Sequence, residues 1–162
     1  MNRASLVFLA LSLLGAPFAL TAQTPESPLA SSLAVFVVET TEDGAEALAS
    51  RETINPGEVI EYQLTYENVS ERPLRQIRAV GQIPAETAFI EGSPVPAGTY
   101  PIEYSLDGVE FAAPPLTYEK VNEDGSTEEA VATPSMYRAL RWTIPELAVG
   151  EKEVLHYRVT VR

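Results

Sequence analysis

The chain contains no cysteine in its 162 residues, and only one histidine, His156. No disulfide can brace the fold, so a hydrophobic core alone must hold it. A Ser-His-Asp or Cys-His arrangement would have to be built on His156. One histidine and no thiolate argue against a tetrahedral zinc site. Bases are scarce as well: 11 Lys+Arg stand against 23 Asp+Glu, for a net charge of −12. That balance disfavours nucleic acid, whose phosphates reward Lys and Arg, and adhesion to anionic headgroups. It favours a solvated acidic surface. Helical periodicity is nearly absent too, whereas two-fold alternation recurs along the chain.

The only long apolar run is at the start. Met1-Asn2-Arg3 is a short basic stretch, Ala4–Leu14 is apolar, Gly15-Ala16-Pro17 breaks it, and Leu20-Thr21-Ala22 provides a small-residue cleavage site. This predicts a signal peptide over residues 1–22. The apolar run falls short of the roughly 20 residues that cross a bilayer, so no transmembrane span is expected after cleavage. No cysteine follows to carry a lipid. The mature chain, Gln23–Arg162, would carry 10 bases and 23 acids, because the removed segment holds Arg3 and no acid.

Residues 23–32 are rich in Pro and Ser and read as a flexible leader before a single domain over 33–162. Leu33–Val38 is a continuous apolar run, expected as a first strand either buried on both sides or packed at a sheet junction. Glu39–Thr53 is polar, with a turn at Asp43-Gly44 and one or two helical turns conceivable over Ala45–Ser50. Asn55-Pro56-Gly57 has the residues of a type II turn. Beyond it Ile60, Tyr62, Leu64 and Tyr66 alternate with Glu61, Gln63, Thr65 and Glu67, which predicts a strand with one face in a core and the other in water.

Leu74–Ile83 is the next strand, with Ile77, Ala79, Gly81 and Ile83 on one face and Gly81 marking a bulge or a close approach. A short extended piece follows over Thr87–Ile90. Asp107-Gly108 predicts a hairpin joining Tyr104-Ser105-Leu106 to Val109-Glu110-Phe111. Leu116–Lys120 is a candidate strand before the polar loop Asn122–Glu129. Leu140, Trp142 and Ile144 share a face before a turn over Pro145–Gly150. The last strand, Glu153–Arg162, points Leu155, Tyr157, Val159 and Val161 inward, with His156, Arg158, Thr160 and Arg162 outward. Seven to nine short strands punctuated by turns predict an all-β fold, an immunoglobulin-like antiparallel β-sandwich with Greek-key connections.

No residue set emerges as catalytic, cofactor-binding or metal-binding. His156 lies on an outward strand face. The carboxylates near Gly44 (Glu39, Glu42, Asp43) and near Gly125 (Asn122, Glu123, Asp124) offer oxygen ligands without the EF-hand spacing. Glu61 and Glu67, six residues apart on one strand, lie about 20 Å from each other, too far to act as a glycosidase pair. Tyr62, Tyr66, Trp142 and Tyr157 read as core, while Tyr100, Tyr104, Tyr118 and Tyr137 are available to line a loop surface. Asn68-Val69-Ser70 matches a glycosylation sequon and equally a strand-end turn.

Three blocks resemble a bacterial conserved repeat domain, the family called domain of unknown function eleven. They are Asn55-Pro56-Gly57-Glu58-Val59-Ile60-Glu61-Tyr62 with Thr65-Tyr66-Glu67-Asn68, then Ala79–Ser93, then Leu140-Arg141-Trp142 through Leu147-Ala148-Val149-Gly150-Glu151. Together they span about residues 33–162 in the family's order. Three positions depart from its pattern. Gly81 stands in place of an aspartate, Ile83 in place of a leucine, and Ala85-Glu86 in place of a glycine turn. The resemblance implies an Ig-like domain in an exported protein with a structural role, and no chemistry. The expectation is therefore a non-catalytic, secreted, periplasmic or cell-surface module that needs no cofactor and binds an envelope protein or polysaccharide. The alternative is a secreted ligand- or calcium-binding protein that uses the acidic loops.

Overall fold

A computed structural model describes residues 27–96 and 99–162. The expected signal peptide and residues 23–26 of the expected leader lie outside the described residues. Within them the chain is all-β, with ten antiparallel strands and no α-helix. In chain order these are β1 (Leu29–Thr40), β2 (Glu46–Ala49), β3 (Val59–Asn68), β4 (Leu74–Gln82), β5 (Thr87–Phe89), β6 (Ile102–Ser105), β7 (Thr117–Val121), β8 (Thr127–Val131), β9 (Ala139–Leu147) and β10 (Lys152–Val161). A five-stranded sheet has the order β2-β1-β3-β10-β5, a three-stranded sheet β4-β9-β6, and β7-β8 form a separate hairpin.

The organising strand is β3. Gly57 has φ 87° and Glu58 N–H donates to Asn55 O at 3.2 Å, closing the expected turn. Beyond it the two-fold pattern meets its match in β10: Ile60 pairs with Val159, Tyr62 with Tyr157 and Leu64 with Leu155. The Tyr62 and Tyr157 rings stack with centroids 5.2 Å apart. Ile77 and Ala79 of β4 and Leu140, Trp142, Ile144 and Leu147 of β9 complete one shared core. Each buried Leu or Ile contributes about 1.5–3 kcal/mol there.

Gly81 supplies clearance rather than a bulge, because the β4–β9 register runs through it unbroken. A Cβ at this position would lie 2.5 Å from Tyr157 Cε1 and 3.1 Å from Leu140 Cδ2. The Tyr157 ring has nowhere to retreat: it packs on Tyr62 and Trp142, and its hydroxyl donates to Gln82 O. Gly81→Ala should therefore cost about 2 kcal/mol through overpacking, measured by urea melts. Replacing Tyr157 with leucine in the same chain should make the alanine nearly free relative to Tyr157→Leu alone. An alanine variant as stable as the wild type would contradict this packing.

Several sequence expectations are corrected. There are ten strands among the described residues, where seven to nine were expected, because β2 forms in a polar stretch to which no strand was assigned and β8 where a polar loop was expected. At β2, the turn Thr41–Ala45 (Thr41 N–H to Ala45 O, 2.8 Å) returns the chain antiparallel to β1, a geometry no local helix can offer. Residues 29–32 of the expected flexible leader are already in β1, paired with β3. The run Leu33–Val38 is not buried on both sides: Leu33 is 60% and Val35 41% exposed, and only Val37 is buried. Leu33 and Val35 thus lie outside the shared core although their β3 partners Leu64 and Tyr62 belong to it or pack on it.

The Asp107 turn forms, with Oδ1 accepting N–H groups of Val109 (2.8 Å) and Glu110 (2.9 Å). The expected return arm Val109–Phe111 is not a strand: Asp107 takes the N–H groups of Val109 and Glu110, and only Ala112 pairs, with Tyr104. β9 continues through Pro145, which the sequence placed in a turn; the Gln76–Pro145 pair is absent from the ladder, and Gln76 takes φ 53°. Tyr137 is buried, and Tyr100, Tyr104 and Tyr118 are partly buried against the core, Tyr104 also bordering a surface depression.

Candidate functional site

The outer face of the five-stranded sheet holds a charged cluster that alternation does not foretell. Glu61 points away from the core, as expected, yet its side chain is only 3% exposed. Register explains this. β3 is a central strand, and Glu61 lies between Phe36 of β1 and Arg158 of β10. Arg158 Nε donates to Glu61 Oε2 at 2.8 Å, Gln63 Nε2 donates to Oε1 at 2.8 Å, and His156 Nδ1 lies 3.3 Å from Oε1. Arg158 Nη1 reaches on to Glu46 Oε2 of β2 at 2.8 Å. Burial by itself would raise the Glu61 pKa. The hydrogen bonds from Gln63 and Arg158 and the cationic charge around it outweigh burial and hold the carboxyl below its ordinary range.

Beside the cluster lies an open depression of about 500 Å³, walled by Ile90, Glu91 and Val95, with His156 and Arg158 exposed to it. The segment after β5 builds this wall by following β10: Ile90 N–H donates to Arg158 O, and Val95 and His156 exchange two backbone bonds. Ser93 also borders the depression, so serine, histidine and glutamate meet in one place. The serine is committed elsewhere. Its Oγ donates to Ile90 O at 2.6 Å and accepts the Arg158 N–H at 2.9 Å, and no hydrogen bond joins it to His156 among the described residues. The cluster satisfies a buried carboxylate; it does not assemble a nucleophile with its base.

The other candidates serve their own turns. Asp124 Oδ1 accepts Ser126 N–H (2.9 Å) and Oγ–H (2.6 Å), while Glu128 pairs with Lys120 across the β7–β8 hairpin at 3.2 Å. Near Gly44, Asp43 accepts from Thr41 and from Ala45 N–H, whereas Glu39 turns to Arg51 at 3.1 Å. The carboxylates of each loop thus diverge, and among the described residues no group of three or more His, Asp or Glu side chains converges on a point. Glu67 pairs with Lys152 at 3.1 Å, apart from Glu61. A second depression, about 370 Å³, lies among Tyr104, Leu106, Phe111 and Leu116; the Arg141 guanidinium sits 4.4 Å over the Phe111 ring. Asn68 is fully buried with its amide committed to backbone carbonyls, which decides the sequon in favour of a strand-end turn.

The sheet edges differ sharply from one another. β4 carries exposed Arg75 and Arg78 and follows Arg72-Pro73. β2, β5 and β6 are three or four residues long, and the β7–β8 hairpin carries Glu119, Glu128 and Glu129. All of these are blunted by charge, proline or brevity. β1 is the exception. β2 covers only Val37–Thr40, so among the described residues the outer edge of Leu29–Phe36 is unpaired, and no charge, proline or glycine occurs over Leu29–Val38. The sequence signal for this edge was present in the uncharged run; what it lacked was the strand order. No protein-family model, curated protein or solved structure matches the chain.

Proposed function

We propose that this protein is an exported, immunoglobulin-like β-sandwich that works as a non-catalytic interaction module of the cell envelope or extracellular space, binding through the free edge of β1. The unpaired, uncharged edge over Leu29–Phe36 carries the reading, since open backbone N–H and C=O groups are a template for an added strand. The sandwich reading is supported by a chain that passes from β3 to β4 and from β9 to β10 between two sheets sharing one core. The export reading rests on the apolar start of the sequence and on the three blocks that resemble the conserved repeat domain. The non-catalytic reading is supported by Ser93 Oγ, which is committed to Ile90 O and Arg158 N–H rather than to His156.

The test is co-sedimentation of residues 23–162 with peptidoglycan, outer-membrane and surface-layer fractions. Saturable binding to one fraction is expected, together with its loss in Leu33→Lys and Val35→Lys. Both positions are exposed, so the thermal midpoint should stay within about 2 °C of the wild type. Binding that survives both changes would remove β1 as the working surface.

A further inference from the structure

We infer that the strand added to β1 is β1 of a second copy, joined antiparallel about a two-fold axis at Leu33 so that one sheet runs through both molecules. This rests on the reading of the β1 edge as the binding surface; a second copy and an envelope component compete for it.

Charge argues for the second copy. The chain carries −12 overall, so one molecule presents mostly repulsive surface to another. Leu29–Val38 is a ten-residue exception, and two such edges meet without bringing any charge into the junction. The geometry is self-matching as well. A two-fold axis normal to the sheet keeps the faces of both copies on the same sides, which requires pairing of residues whose numbers sum to an even value. Centred on Leu33, it sets Leu33 against Leu33, Val35 against Ser31, Ala34 against Ser32, and Phe36 against Ala30. Apart from Leu33, each large side chain meets a small one. The pairing also stops before Val37, where β2 occupies the same edge.

On the core-side face the junction brings two Leu33 and two Val35 side chains together. These are the residues left 60% and 41% exposed in the single molecule. Each is already paired across β3, Leu33 with Leu64 and Val35 with Tyr62, so the added strand would extend an existing apolar row. A strand pair of this length is a small interface, and the association is expected to be reversible and concentration-dependent.

Two measurements on residues 23–162 test it. Sedimentation velocity over a concentration series should show a monomer converting to a dimer, and Leu33→Lys should abolish the conversion while leaving the thermal midpoint in place. Because the chain has no cysteine, Leu33→Cys gives a clean register probe. Directly opposed Cα atoms in an antiparallel pair lie about 4.5–5.5 Å apart, within disulfide range. Under mild oxidation Leu33→Cys should form a covalent dimer at least ten times faster than Val109→Cys, which is 78% exposed on a loop. Wild type that remains monomeric throughout, or equal cross-linking at both positions, overturns the inference. If that monomer still loses its envelope binding on Leu33→Lys, the edge reading stands with a different occupant. If envelope binding is unaffected, both fall. A dimer that persists in Leu33→Lys places the contact elsewhere and overturns the inference.

Discussion

Asn68→Asp is expected to destabilise the protein by about 4 kcal/mol at neutral pH, more than Asn68→Ala at about 3 kcal/mol, although aspartate is the closer match in shape. Asn68 is fully buried at the end of β3. Its Nδ2 group donates to Arg72 O (2.8 Å), Leu147 O (2.9 Å) and Ala148 O (3.1 Å), and its Oδ1 accepts Ser70 N–H (3.0 Å) and Oγ–H (2.7 Å). One side chain therefore fastens the end of β3 to the loop entering β4 and to the turn joining β9 to β10. Alanine leaves those carbonyls without their donor. Aspartate does worse, because it aims a charged oxygen at three carbonyl oxygens.

The sign of the pH dependence follows. The introduced carboxyl would have a folded-state pKa raised above its unfolded value, because burial and the carbonyls both favour the protonated form. The stability of the aspartate variant is then greatest below the unfolded pKa and falls as pH rises toward the folded one. Its deficit relative to alanine should narrow as pH is lowered from 7 toward about 5, measured by urea melts at each pH. A deficit independent of pH would mean that the side chain has swung out to water.

Arg158→Met is expected to cost about 3 kcal/mol, because it strips the chief partner from a carboxylate that is 3% exposed. The penalty belongs to the orphaned charge, so Glu61→Gln in the Arg158→Met background should recover most of it. In the wild type Glu61 is held below its ordinary range, so the stabilisation it contributes is present in full above the usual carboxylate pKa and is lost as pH falls through the folded value. In Arg158→Met, burial loses its main opponent and the Glu61 pKa rises. The wild type should then lose more stability than the variant on acidification, and the gap between them should close. A double-mutant cycle at two pH values measures both effects. If the double variant is no more stable than Arg158→Met, the guanidinium acts by packing its stem rather than by balancing Glu61.

Several features were legible in the residues themselves. The Asn55-Pro56-Gly57 turn, the alternation of Ile60 to Tyr66, and the inward set Leu155, Tyr157 and Val159 are local or one-strand properties. Period two and turn chemistry report them directly. They decided that the chain is all-β and which face of β3, β4, β9 and β10 is apolar. What they could not decide was which strand lies beside which, and the functional questions turn on that order. Glu61 looks solvated until Arg158, Gln63 and His156 are placed around it across the β3–β10 register. Leu33 to Val38 reads as doubly buried, because an apolar run signals burial without stating where in the sheet it lies. Its position next to last in the five-stranded sheet, beside a β2 that pairs only with Val37–Thr40, turns the same run into an open edge. Alternation is set by neighbours along the chain, whereas burial and free edges are set by neighbours across it, so the first belonged to the sequence and the second to the tertiary structure.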